Sequence, residues 1–191
     1  MSERLILLVM RYNLASYLLV LVVFGFFSCG SKEKDNKKEK PQLTRKQQVE
    51  KTARLYFQTF AERKDWEKLL SFYSDTVNFE DVLLQTKIRG KEEFKEFYDW
   101  PNPSFKKLSE DQQHLVVEDL AVSDSAAVAR GYLNPFYFND KLWELKHGGN
   151  FTIWLYFDDN LKIRKQVDWF EYPSDVMEHI AQKIRDIENL D

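Results

Sequence analysis

The sequence predicts an α+β domain: a curled antiparallel sheet forming a cone, with N-terminal helices packed on its concave face and a further helix at the C-terminus. Three observations carry this expectation. Apolar residues recur at helical spacing between Thr44 and Tyr73 and again between Lys91 and Tyr98, as in helices with one buried stripe. From His114 to Tyr172 the period shortens to two, in long runs separated by short turn signals, the pattern of consecutive antiparallel strands. Helices segregated from strands make a layered design, and a curled sheet leaves a concavity able to hold a small ligand. A chain of 191 residues accommodates one such domain with appendages rather than two domains.

In the first helix Val49, Ala53, Tyr56, Phe57 and Phe60 share a stripe, with Glu50, Lys51, Arg54, Glu62 and Arg63 elsewhere. Asp65 caps a second helix expected over residues 66–73, where Trp66, Leu69, Leu70 and Tyr73 share a face, and Asp75 marks the turn out. Residues 76–82 alternate, with Val77, Phe79 and Asp81 on one face and Asn78 and Glu80 on the other. A carboxylate, Asp81, therefore shares the buried face of a strand. Ile88 and Gly90 lead into a third helix over residues 91–98, with Phe94, Phe97 and Tyr98 inward, stopped by Trp100, Pro101, Asn102 and Pro103. Strands are expected over 114–122, 126–137, 142–157 and 161–172, with turns at Ser123/Asp124, Asn139/Asp140 and Asp158/Asp159/Asn160. Pro173 and Ser174 open a last helix over 175–189, with Val176, Ile180, Ile184 and Ile187 on one stripe.

Composition excludes several classes. Lys+Arg 28 against Asp+Glu 31 gives a net charge of −3, without the basic footprint that nucleic acid requires. A single cysteine excludes an intramolecular disulfide framework and Cys-rich metal sites. His114, His147 and His179 show no ligand spacing, and no GxSxG, P-loop or GxGxxG pattern occurs, so no metal and no cofactor are expected.

The N-terminus reads as an address. Residues 14–27, LASYLLVLVVFGFF, are uncharged and follow Arg4 and Arg11, the layout of a secretory signal. That run of 14 residues is shorter than the ~20 a membrane-crossing helix needs. Met10 followed by Arg11 would open a tidier signal than Met1 does. Cys29 sits directly where the apolar run ends, after Phe26, Phe27 and Ser28, and resembles the lipobox cysteine of bacterial lipoproteins, which is acylated and becomes the first residue. Phe26 departs from the leucine usual there; the small Ser28 fits. More than one acyl chain gives stable anchoring. The expected organisation is a signal peptide over 1–28, lipidated Cys29 with a charged tether over 29–44, and the cone domain over 45–191. Removing residues 1–28, which carry a net +1, takes the charge from −3 to −4. Lys32, Lys34, Lys37, Lys38 and Lys40 in the tether could also rest against anionic headgroups. Gly30 stands where enterobacterial lipoproteins kept in the inner membrane carry Asp, so an outer-membrane location in the cell envelope is implied.

Residues 53–100 resemble the opening of SnoaL-like and nuclear transport factor 2-like proteins, the superfamily of polyketide cyclases and ketosteroid isomerase. The matching features are the aromatic helix, Lys64/Asp65, Tyr73 with Asp75, Phe79/Glu80/Asp81, Ile88/Arg89/Gly90 and Phe94/Phe97. Phe157/Asp158 before Ile163, and Asp168/Trp169/Phe170, continue it, so the resemblance spans residues 45–172. It implies a fold more than a chemistry. Asp81 falls where ketosteroid isomerase keeps its general-base aspartate, in agreement with its inward phase. The tyrosine that polarises the substrate corresponds to Phe57, with Tyr56 rotated ~100° around the helix. The protonated aspartate of the oxyanion hole corresponds to Ile153. Without both donors that chemistry lacks its largest contribution.

Asp81 and Asp168 are thus the candidate catalytic residues, although neither face of the strand around Asp168 reads as plainly buried, since Lys165, Val167 and Trp169 alternate with Gln166, Asp168 and Phe170. The candidate pocket comprises Tyr56, Phe57, Phe60, Val77, Phe79, Phe97, Ile153 and Leu155. Tyr132, Trp154 and Tyr156 form an outer stripe that suits a homodimer interface or a ligand site equally. Three functions stay open: binding of a small apolar ligand or a partner, proton transfer by Asp81 on a hydrophobic substrate, or a dimerising accessory module with a filled cone.

Overall fold

The computed structural model describes residues 42–145, 149–174, 177 and 178. The signal, Cys29 and almost all of the tether, together with most of the expected C-terminal helix, His147 and His179, lie outside the described residues.

Helix α1, Arg45–Glu62, begins at a capping box: the Thr44 hydroxyl accepts from the Gln47 backbone N–H while the Gln47 side chain accepts from the Thr44 N–H. The Arg45 guanidinium donates to the carbonyls of Asp124, Asp158 and Asp159, tying this end of the helix to two turns of the sheet. The helix ends at Arg63, in the left-handed conformation with φ 47°. Helix α2, Trp66–Ser71, is capped by the Asp65 carboxylate. Tyr73 leaves the helix and opens strand β1, Tyr73–Asp81, three residues before the alternation expected from Thr76. Residues 86–89, expected to lead into a helix, form strand β2, Thr86–Arg89, a hairpin with β1. Gly90, at φ 91°, then turns the chain into helix α3, Lys91–Tyr98; its N–H reaches the Val77 carbonyl at 2.8 Å. Few side chains tolerate that conformation, so glycine is required there.

The long strands expected downstream are interrupted. Asn134 and Pro135 divide β5, Ala126–Leu133, from β6, Phe136–Phe138, because proline removes a ladder donor. Likewise β7, Lys141–Trp143, is separate from β8, Gly149–Phe157. With β3, Phe105–Lys107, a strand the sequence did not signal, β6 and β7 form a small sheet in the order β3-β6-β7. The main sheet runs β2-β1-β9-β8-β5-β4, where β4 is Leu115–Val122 and β9 is Ile163–Phe170. The hydrogen-bonded pairs of this sheet are antiparallel except β1–β9, which is parallel and brings Asp81 into register with Asp168. The expectation of an antiparallel sheet is corrected at this one seam: β1 and β9 come from opposite ends of the domain and are brought side by side by the helices and sheet between them.

The core lies between α1 and the sheet, filled by Val49, Ala53, Tyr56, Phe57, Phe60, Leu69, Phe79, Phe94, Ile153, Leu155 and their neighbours. At about 25 cal/mol per Å² of apolar surface removed from water, these aromatic and branched side chains supply the main driving force. None of the described helices is long and apolar enough to cross a membrane.

Where β4 bulges between Val117 and Asp119, β5 comes so close that a Cβ on Gly131 would lie 1.8 Å from the Val116 carbonyl oxygen. Gly131→Ala is therefore expected to lower stability by about 1–3 kcal/mol or more, read from urea unfolding midpoints at unchanged m.

Candidate functional site

The interior of the cone is polar at its centre. Gln166, fully buried on β9, projects its side-chain amide between α1, β1 and α3. Its Oε1 accepts from the Tyr73 hydroxyl at 2.6 Å and from the Tyr56 hydroxyl at 3.0 Å, and the two hydroxyls lie 2.8 Å apart. Its Nε2 donates to both Asp168 oxygens at 2.9 Å and to the Tyr98 hydroxyl at 3.2 Å. Tyr98, at the end of α3, donates to Asp168 Oδ2 at 2.5 Å. One amide thus connects three phenols and a carboxyl group. Each such group left unpaired in the interior would cost about 1–3 kcal/mol.

Asp81 closes the same region from β1. Its Oδ1 accepts from the Leu84 N–H at 2.9 Å and its Oδ2 from the Tyr172 hydroxyl at 2.6 Å. Burial raises the Asp81 pKa, opposed by the hydrogen bonds from Leu84, Tyr172 and Leu83. Asp168 is more extreme: burial, helped by the nearby Asp81 charge, pushes it up to about 8 against the hydrogen bonds from Tyr98 and Gln166. At neutral pH Asp168 is mostly a neutral acid. Burial likewise raises the pKa values of Tyr56, Tyr73 and Tyr98. All three remain neutral hydroxyls, able to donate and accept.

Asp168, whose strand gave no clear buried face, is completely buried; Val167 and the half-exposed Trp169 point to the other side of the sheet. Hydrophobicity misled there because the outer face also carries apolar residues. Phe97, expected to line the pocket, is 38% exposed at the rim of α3, and Tyr98 takes the inward position. Tyr56, Phe60, Val77, Ile153 and Leu155 pack into the core. Phe79 also packs there, and one edge of it borders a shallow cavity beside Lys87 and Arg89. Phe57 is the candidate that faces a sizeable groove. This groove, about 280 Å³ between α1 and the edge strand β4, is lined mainly by Phe57, Ala61, Leu115, Val117 and Leu120, with Arg54, Gln58 and Gln113 at its margin. Neither Asp81 nor Asp168 lines this groove or the cavities beside Leu145, Trp143, Trp154 and Arg89.

Sequence reasoning missed Gln166 and the roles of Tyr73, Tyr98 and Tyr172. The inward alternation Gln166, Asp168, Phe170 was the available signal, and only the pairing of β9 with β1 gives it direction.

An α-helical layer on a curled six-stranded sheet is the architecture of a nuclear transport factor 2-like cone. The family model described as "SnoaL-like domain" matches residues 53–153, more than half of the chain, and the protein belongs to that family. A search of the curated proteins gave no match. Among solved structures, an NTF2-like protein of unknown function from Burkholderia pseudomallei is 16% identical at a TM-score of 0.52, covering 75% of this chain and 97% of that one. A protein described as a "putative polyketide cyclase" from Xanthomonas campestris is 16% identical at a TM-score of 0.51, covering 73% and 98%. One described as a "putative ketosteroid isomerase" from Kribbella flavida is 19% identical at 0.50, covering 69% and 84%. At these identities the likeness is one of fold.

Two expected outcomes follow from the network. A carboxyl group whose pKa is raised in the folded state binds a proton that the unfolded chain has released, so between about pH 4 and 8 Asp168 makes stability fall as pH rises. The slope is at most about 1.4 kcal/mol per pH unit. Asp168→Asn should flatten that fall and raise the melting temperature relative to the parent at pH 8, measured by thermal melts across the range. Gln166→Leu strips partners from Tyr56, Tyr73 and Asp168 together. It should cost about 3 kcal/mol or more in denaturant unfolding.

Proposed function

We propose that the protein is a lipid-anchored protein of the bacterial outer membrane whose SnoaL-like domain binds a small, largely apolar ligand and does not catalyse proton transfer. Acyl chains on Cys29 hold it, and the charged tether over 29–44 spaces the domain from the bilayer. The observation that carries the binding reading is the state of the interior: Asp81 and Asp168 are 1% and 0% exposed and already hold hydrogen bonds from the chain itself. A general base must come within hydrogen-bond reach of the proton it takes. Here the Tyr172 hydroxyl occupies Asp81 and the Tyr98 hydroxyl occupies Asp168. The enzyme reading, with Asp81 as base on a hydrophobic substrate, would need this packing to open.

The groove between α1 and β4 is the better receptor. Its volume of about 280 Å³ approaches the ~300–1,000 Å³ of ordinary ligand sites, and its apolar floor with three polar side chains at the margin has the composition of such sites. The outer face of the sheet has a separate use. Trp154, 42% exposed, lies between Val128 and Val167 of the neighbouring strands, and Trp169, 49% exposed, is two residues along from Val167, an apolar patch suited to a second copy of the chain. The reading of a dimerising accessory module with a filled cone shares this patch and differs in leaving the groove without a ligand.

The test is native mass spectrometry of the protein purified in detergent from its host, followed by denaturing extraction. The expected result is a co-purifying apolar molecule, retained in Asp81→Asn and lost in Leu120→Trp, which fills the groove. Loss of the ligand in Asp81→Asn with the fold intact would favour the enzyme reading; an empty dimer would favour the accessory module. For the anchor, Cys29→Ala should move the protein from the membrane fraction to the supernatant, and continued retention would indicate an uncleaved signal anchor.

A further inference from the structure

At the small sheet the fold leaves polar atoms without partners. Arg63 Nε, Trp100 Nε1 and His114 Nδ1 are buried and make no hydrogen bond among the described residues. They gather around the same rings. The Arg63 guanidinium carbon lies 3.8 Å from the Phe105 ring centroid and 4.9 Å from that of Trp100. The His114 ring stacks on Phe60 at 6.1 Å and meets Phe105 and Phe136 edge-on at 4.9 and 5.1 Å. Arg63, Phe105, His114, Phe136, Phe138 and Trp143 line a cavity of about 190 Å³.

Both polar side chains spring from fixed backbone. Arg63 caps α1, its N–H bonded to the Thr59 carbonyl at 3.1 Å. His114 donates its N–H to the Ala61 carbonyl at 2.6 Å and accepts from the Asn134 N–H at 2.9 Å. Among the described residues no carboxylate forms an ion pair with Arg63; Asp99 acts on it from longer range. Lys107 adds a second positive charge nearby, its ammonium held by the Glu62 and Glu110 carbonyls. Burial lowers the Arg63 pKa only to about 10, so it stays charged at neutral pH, while burial and the two cations keep His114 neutral. Arg63 is partly buried, its Nε enclosed against aromatic faces with no anion beside it, and this is an incomplete arrangement because charges withdrawn from water are ordinarily paired.

We infer that this cavity binds a small aromatic carboxylate, its ring among Phe105, Phe136, Phe138 and Trp143 and its carboxylate on Arg63, with His114 as the second donor. The size fits: a dry cavity of about 150 Å³ accommodates a benzene ring. Ring-lined walls favour a planar apolar body. The planar guanidinium matches a carboxylate, whereas a doubly charged phosphate would need more than one cation to replace its water, and Lys107, held on the Glu62 and Glu110 carbonyls, does not line the cavity. The site is separate from the groove between α1 and β4 and stands whether or not that groove holds a ligand.

Isothermal titration calorimetry on the full-length protein in detergent decides it, with benzoate, neutral benzamide and inorganic phosphate as probes. One benzoate should bind per chain, about tenfold or more tighter than benzamide and than phosphate, and Arg63→Gln should remove at least that advantage without lowering the melting temperature. Equal binding of benzoate and benzamide, binding of phosphate as tight as benzoate, no benzoate binding, or unchanged binding by a folded Arg63→Gln would each overturn the inference. The benzoate–benzamide comparison uses the unaltered protein, so it decides the matter even if the variant fails to fold.

Discussion

The side-chain amide of Gln166 is the constraint on which the interior depends. An amide has two donors and one strong acceptor group, and here all are engaged: Oε1 by Tyr73 and Tyr56, Nε2 by Asp168 and Tyr98. Those partners come from α1, β1, α3 and β9, so a single group sets how the helices sit on the sheet. A partly satisfied polar network would be worse than an apolar core, whereas a complete one fixes a unique packing. The aromatic shell of Phe60, Phe79 and Phe94 around it excludes water, which strengthens the hydrogen bonds and keeps Asp168 neutral.

The same closure shapes function. A cone whose carboxyl groups are satisfied by its own tyrosines leaves them little to offer a substrate, and recognition moves to the margins. The apolar groove opens on the side of α1 facing β4, and the Arg63 cavity opens at its end, where the small sheet meets the helix. The two differ in chemistry: one has an apolar floor and a polar edge, the other a partly buried cation among rings. Their positions follow from the interruptions of the strands, since Pro135 separates β6 from β5 and lets Phe136 and Phe138 face Arg63.

Much of the fold was legible. The stripe Val49, Ala53, Tyr56, Phe57, Phe60 forms one buried face of α1, and the inward phase of Val77, Phe79 and Asp81 holds in β1. Local pattern failed where non-local pairing decides. Tyr73 continues a helical stripe in sequence yet starts a strand, because its ring and hydroxyl are claimed by Phe94, Tyr56 and Gln166. The phase of β9 was ambiguous because Val167 and Trp169 are apolar on an outer face, and nothing in the alternation says that Gln166 and Asp168 are the buried set. The Arg63–His114 cavity was invisible for the same reason: its residues come from a helix end, three short strands and a loop, separated widely in the chain.

The closed interior is tested most directly by proton NMR of the tyrosine hydroxyls. If the network excludes water, the Tyr56 and Tyr73 O–H protons will give resolved resonances that exchange slowly with solvent at neutral pH. If the cone is open to water or substrate, those protons will exchange too fast to be seen, and the reading of a closed, non-catalytic interior would be contradicted.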